Sequence, residues 1–129
     1  QRANNHTIAM PVVIENLLIN GWISGFYAEP ELTGGDILVN NAGAGQQVTP
    51  IVELSDEEWA KILNVNLNGT RSNAVGLSGG MERQESGCMV NISSVNGQNP
   101  AALVAAHNVA KAGVISLTRS LSLELAAYA

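Results

Sequence analysis

Two short apolar runs, each ending in small polar residues and each followed by a helical pattern, most constrain the fold of this chain. The first run spans 36–39 and ends in N-N-A-G at 40–43, and the second spans 88–92 and ends in S-S at 93–94. Short apolar runs bounded by turn residues are typical of strands covered on both faces of a parallel sheet. The order strand, helix, strand, helix predicts an α/β fold, a right-handed βαβα unit with both strands in one sheet.

The helices are indicated by their start signals and by the spacing of their apolar residues. Ser55 and Glu58 have the spacing of a capping box, and the pattern that follows predicts a helix over 56–73. Glycines weaken its predicted continuation to residue 84, because each disfavours a helix by up to about 1 kcal/mol relative to alanine. A second helix is predicted over 103–127, with a section of small residues that lets another backbone or a ligand approach closely.

Composition excludes several classes of function. The 129 residues, 46% of them apolar, allow one domain, and eleven acids against six bases leave no basic stripe for nucleic acid. The single cysteine, Cys88, excludes an intrachain disulfide framework and a cysteine-clustered zinc site, so we predict no metal and interpret Cys88 as a small core residue. No apolar run approaches the roughly 18 residues of a membrane span, so we expect no membrane association and a cytoplasmic location.

The first 35 residues are interpreted as a divergent N-terminal segment. An apolar stretch after Pro11 permits a short helix or a strand, and residues 21–35 are predicted to be loop. The chain begins with Gln1 rather than Met and stops at Ala129 directly after a helical pattern. We therefore expect it to be part of something longer.

Five motifs between residues 36 and 127 together resemble those of the classical short-chain dehydrogenase/reductase family. In order along the chain they are D-I-L-V-N-N-A-G, L-S-D-E-E-W, N-V-N-L, V-N-I-S-S and A-K-A-G-V-I-S-L-T-R-S-L. Each alone is weak, but five in family order at family spacing are specific. The resemblance implies that residues 36–129 are a partial dinucleotide-binding domain, a Rossmann-like doubly wound parallel sheet whose flanking strands are missing.

The resemblance also implies a site. Asn66 matches the helix asparagine whose carbonyl holds a water in a proton relay, and Ser94 matches the serine that hydrogen-bonds the reacting oxygen. Lys111 matches the lysine that contacts the nicotinamide ribose and lowers the pKa of the neighbouring acid. The cofactor side of the sheet is lined by Asn40, Ala42 and Gly43. The implied activity is hydride transfer between NAD or NADP and a small alcohol or carbonyl substrate.

The family's catalytic tyrosine is replaced by His107 in this chain. It lies thirteen residues after Ser94 and four before Lys111, so it shares a helix face with the lysine. An imidazole is shorter than a phenol and has a different proton affinity, so we expect severely weakened hydride transfer. The alternative is a hydrogen-bonded helix histidine without a catalytic role.

Two further departures leave the function open. The family's glycine-rich phosphate loop is matched only loosely at 20–27, where Tyr27 stands in place of the last glycine, and a plain loop remains the alternative. The missing strands leave both sheet edges open. The leading hypothesis is therefore a truncated, impaired oxidoreductase. The alternative is a non-catalytic assembly module, and in either case we expect a homo-oligomer formed through the helices after Ser55 and Leu103, as is common in the family. A hydrolase motif, G-x-S-x-G at 76–80, is disfavoured because it interrupts a helix rather than following a strand.

Overall fold

The computed structural model describes residues 37–128, and the predictions for residues 1–35, including the loose phosphate-loop match at 20–27, lie outside them. The elements that position the site are β1 (Ile37–Asn40), α1 (Asp56–Leu63), a π-helical segment (Asn64–Asn68), α2 (Gly69–Gln84), β2 (Cys88–Asn91) and α3 (Ala105–Leu125). Short 3₁₀ turns lie at Ile51–Glu53, Val95–Gly97 and Ala126–Tyr128.

The two strands pair in parallel, as the order of elements predicts. Ile37 lies opposite Cys88, and the register continues to Asn40 opposite Asn91. The ladder extends one step further, because the Ile92 N–H donates to the Asn40 carbonyl at 2.9 Å. The predicted α/β architecture, a parallel sheet with crossover helices, is confirmed.

Only one face of this sheet is covered by the described helices, so the prediction of strands buried on both faces is wrong for this part of the chain. Ile37 and Val39 are 53% and 56% exposed, whereas Asn40, which points the other way, is 5% exposed. Cys88 is also exposed, which corrects its interpretation as a core residue. Side chains alternate across a strand, and α2 and α3 both contact the face that carries Asn40, so the opposite face receives no described helix.

The first helical stretch is continuous from α1 through the π-helical segment to α2. Ser55 caps it, since its Oγ accepts from the Glu58 N–H at 3.2 Å. The Glu58 carboxylate does not complete a capping box and instead pairs with Lys61 at 3.2 Å. The glycine-rich continuation is helical to Gln84, and the stretch ends where Glu85 adopts a left-handed conformation with φ 51°.

The core lies where the helices meet through small residues. Ala74, Ala106 and Ala110 have no exposed surface, and Ile62 of α1 is equally buried. A Cβ added to Gly113 would stand 2.8 Å from the Leu67 side chain, so α3 passes directly against the π-helical segment. The predicted small-residue section of the second helix therefore serves close helix packing.

A chain of side-chain hydrogen bonds ties the carboxyl ends of both strands to the two helices. Asn73 Nδ2 of α2 donates to Asn40 Oδ1 at 3.0 Å, and Asn40 Nδ2 donates to Asn91 Oδ1 at 2.8 Å. Asn91 Nδ2 donates to Thr118 Oγ1 of α3 at 3.0 Å, whose hydroxyl donates to the Val114 carbonyl at 2.8 Å. The last acceptor is a backbone carbonyl, which fixes the direction of every bond before it.

Candidate functional site

The Asn66 side chain joins the loop that follows β1 to the first helical stretch by hydrogen bonds. Its side chain is 1% exposed, and its Nδ2 donates to the carbonyls of Ala44 at 2.9 Å and Ile62 at 3.0 Å. Its Oδ1 accepts from the Ala44 N–H at 3.3 Å. Asn66 lies in the π-helical segment, a feature that recurs at functional sites and that the apolar spacing of the sequence does not reveal. Its backbone carbonyl accepts from Thr70 Oγ1 at 3.3 Å.

Lys111 joins α3 to the end of β2. It is 7% exposed, and its Nζ donates to the Ile92 carbonyl at 3.0 Å. Ser93 Oγ donates to the Lys111 carbonyl at 2.8 Å, so the strand end and the helix are linked twice. Burial lowers the pKa of the Lys111 ammonium below its ordinary value, because the charged form loses solvation.

Gly43 lies between the asparagine and the lysine. A Cβ added there would be 3.0 Å from Asn66 Oδ1 and 3.8 Å from Lys111 Nζ. The structure therefore brings together three of the residues that the sequence singles out, at the carboxyl ends of two neighbouring strands. In open α/β sheets this is where ligands bind.

Ser94 starts the 3₁₀ turn that follows β2. Its Oγ accepts from the Asn96 N–H at 3.2 Å. That turn packs on the lysine backbone, since a Cβ added to Gly97 would stand 2.8 Å from the Lys111 carbonyl oxygen and carbon. Ser94 therefore precedes a turn that contacts the backbone of α3 at Lys111.

His107 lies in the first turn of α3 and contacts a residue that the sequence analysis missed. Its backbone N–H donates to Gln46 Oε1 at 3.1 Å. This bond replaces a helix cap, because Val104 at the N-cap position makes no side-chain capping bond. No spacing signal marks Gln46, which is 61 residues away in sequence.

The remaining predicted cofactor-binding residues differ in what they contact. Both polar atoms of the Asn40 carboxamide make hydrogen bonds, one with Asn73 and one with Asn91, on the helix-covered face of the sheet. Ala42 is half-buried in the loop that leads to Gly43.

Two classes of site are not found in the described part of the chain. Residues 37–128 contain no group of three or more histidine, cysteine, aspartate or glutamate side chains placed to hold a metal ion. None of the helices in the same range is both long and apolar enough to cross a membrane.

A parallel sheet with polar loops at its strand ends and helices against its face defines a Rossmann-like α/β fold. The model of the short chain dehydrogenase family matches residues 27–129. The chain therefore belongs to the short-chain dehydrogenase family, a family of oxidoreductases that use NAD or NADP, and this confirms the resemblance and the class of cofactor that it implies.

Among the similar proteins are dehydrogenases and reductases. Galactitol 2-dehydrogenase of Rhizobium johnstonii is 45% identical over 94 residues, which cover 70% of this chain and 36% of that protein. Acetoacetyl-CoA reductase of an Acinetobacter species is 32% identical over 121 residues, covering 94% of this chain and 44% of the relative. The chain thus spans between about a third and a half of the length of these relatives.

Solved structures show the same fold. A 4-hydroxyisoleucine dehydrogenase complexed with NADH and succinate superposes with a TM-score of 0.69 at 32% identity, over 73% of this chain and 44% of that chain. The bulky-bulky ketone specific alcohol dehydrogenase from Comamonas testosteroni gives a TM-score of 0.70 at 30% identity, over 76% of this chain and 39% of that one.

Proposed function

We propose that this chain is part of an NAD(P)-dependent oxidoreductase that transfers hydride between the nicotinamide cofactor and a small alcohol or carbonyl substrate. The proposal rests on one observation: Gly43, Asn66 and Lys111 lie close together at the carboxyl ends of two parallel strands. The family membership and the names of the relatives support the same class of reaction.

The described residues fit the nicotinamide end of the cofactor. Gly43 carries no side chain to fill the space between the Asn66 amide and the Lys111 ammonium. An ammonium has three N–H donors, and the bond to Ile92 uses one, which leaves two for ribose hydroxyls. Lys111 and the backbone of the Ala42–Gly43 loop would hold this part of the cofactor, and Asn40 would anchor that loop to the sheet. When bound, NAD(P)H supplies the hydride and the protein supplies orientation and protons.

The roles proposed for the other site residues concern the substrate oxygen. Ser94 would hydrogen-bond that oxygen, and Asn66 would hold the relay water through its backbone carbonyl. His107 stands where the family's tyrosine donates the proton, and its shorter side chain leads us to propose that this chain is impaired in catalysis.

A fluorescence titration with NADH tests the proposal. We expect the parent chain to bind NADH saturably. Lys111→Met should abolish this binding, because methionine has no ammonium to hydrogen-bond the ribose. The same substitution at Lys61, whose side chain is 55% exposed on α1, is the matched control and should bind like the parent. A folded parent chain without saturable binding at millimolar NADH would contradict the proposal.

The second candidate is an assembly module, favoured by apolar side chains on the outer surfaces of the helices. Val75 on α2 is 58% exposed, and Leu123 on α3 is 82% exposed. We propose homo-oligomer formation through the helical stretch after Ser55 and through α3, and a cytoplasmic location. Light scattering after size exclusion should show more than one copy for the parent and a lower mass for Leu123→Glu. A monomeric parent would remove the assembly proposal.

A further inference from the structure

Gln46 and His107 touch at the first turn of α3, and each has one buried polar atom without a partner. Gln46 Oε1 accepts from the His107 backbone N–H at 3.1 Å. Among residues 37–128, Gln46 Nε2 and His107 Nδ1 have no hydrogen-bond partner although both are buried. An unpaired buried polar group is destabilising, so native proteins pair nearly all of them. Two such atoms on two touching residues therefore need an explanation.

The two unpaired atoms are chemically complementary. An amide nitrogen only donates, and a neutral imidazole accepts at Nδ1 when its proton is on Nε2. The amide cannot turn over, because its oxygen faces a backbone N–H and the nitrogen would then meet another donor. The bond from Gln46 Oε1 to the backbone of His107 holds the carboxamide against that residue. A hydrogen bond from Gln46 Nε2 to His107 Nδ1 would satisfy both unpaired atoms.

We propose that Gln46 is the positioning residue for His107: its carboxamide serves both the backbone N–H and Nδ1 of that histidine and holds the neutral imidazole with its proton on Nε2. The tautomer of a histidine is set by the hydrogen bond of its other ring nitrogen. Nε2 is not among the buried unpartnered atoms of the described residues, and we take it as the ring nitrogen that faces a ligand.

This tautomer limits the proton transfers that His107 can perform, a consequence that rests on the proposed function. Nε2–H donates a hydrogen bond to a carbonyl oxygen, as the family's tyrosine hydroxyl does, but Nε2 has no free lone pair to accept the proton of an alcohol. No proton leaves His107 in this arrangement, because its loss would leave an imidazolate. An alcohol oxygen can also accept from Nε2–H, so the tautomer leaves alcohol binding possible but removes the acceptor for the proton that alcohol oxidation releases.

Nitrogen-15 NMR of the imidazole rings measures the tautomer without cofactor or turnover. The chain contains two histidines, and His6→Gln removes the second signal. At a pH where the ring is neutral, we expect His107 to show a protonated Nε2 and an unprotonated Nδ1. Gln46→Glu replaces the amide donor by an acceptor of the same size, so it should move the proton to Nδ1. Gln47→Glu adds the same charge at the exposed neighbouring position and should change nothing.

Three results would overturn the assignment. They are a proton on Nδ1 in the parent, an unchanged tautomer in Gln46→Glu, and an equal change in Gln47→Glu. If Gln46→Glu does not fold by circular dichroism, Gln46→Ala takes its place, and an unchanged Nδ1 chemical shift in that variant overturns the assignment. Failure of NADH binding with the Nε2–H tautomer present would contradict the proposed function and leave the role of Gln46 standing.

Discussion

Gly97 is the position where a single methyl group would press on the backbone of the proposed cofactor lysine. A Cβ added there would stand 2.8 Å from both the carbon and the oxygen of the Lys111 carbonyl and 2.9 Å from Ile115 Cδ1. Two of these three contacts are with helix backbone, which cannot rotate away as a side chain can. Gly97→Ala must therefore push the turn that begins at Ser94 away from α3.

The magnitude follows from two opposing terms. Overpacking of this kind costs about 1–3 kcal/mol. Replacing glycine by alanine stabilises the folded state by about 0.4–1 kcal/mol, because the unfolded chain has fewer conformations to lose. We expect the free energy of unfolding to fall by about 1–2 kcal/mol, and NADH affinity to weaken because Lys111 moves with its helix.

Urea unfolding followed by circular dichroism measures the first effect. Gly45→Ala is the matched control, because an added Cβ there meets nothing within 4 Å, and it should be no less stable than the parent. Equal stability of the two variants would refute the reasoning, since it would mean that the close contact at Gly97 is relieved at no cost.

Three further predictions concern stability, pH and catalysis. Thr118→Val should lower the free energy of unfolding by about 0.5–1.5 kcal/mol, since the Asn91 amide loses its acceptor at an exposed site, whereas Thr118→Ser should keep it. Similar urea midpoints for the two would contradict this. The free energy of unfolding should rise with pH between the lowered pKa of Lys111 and its ordinary value of 10.5, because the folded state binds fewer protons than the unfolded state in that range. Urea titrations at alkaline pH should show a smaller rise for Lys111→Met than for the parent. An unchanged pH profile would exclude the lysine as the source of the rise. His107→Tyr should raise NADH-dependent carbonyl reduction, and no gain in a variant that binds NADH would argue against a proton-donor role at this position.

The sequence predicted those features that local patterns encode. The strand ends, the cap at Ser55 and the shared helix face of His107 and Lys111 depend on neighbouring residues, and the structure contains all of them. The resemblance singled out Asn66 and Gly43, which the structure brings together.

The features that were missed depend on contacts between distant parts of the chain. Gln46 meets His107 across 61 residues, and no motif spacing links them. The face of the sheet that carries Ile37 and Val39 was predicted to be covered, but no helix among the described residues covers it. An apolar strand has the same sequence pattern whether or not a helix covers its second face. The exposed position of Cys88 follows from that same face.

We propose that Gly43, Asn66 and Lys111 form the place where the nicotinamide end of the cofactor binds. The most direct measurement is the NADH dissociation constant of Gly43→Ala beside that of Gly45→Ala. The added methyl group at Gly43 would lie 3.0 Å from Asn66 Oδ1 and 3.8 Å from Lys111 Nζ, within the proposed binding space. We predict a loss of affinity of about tenfold or more, at least about 1.4 kcal/mol, in Gly43→Ala alone. Equal NADH affinity in two folded variants would contradict the account.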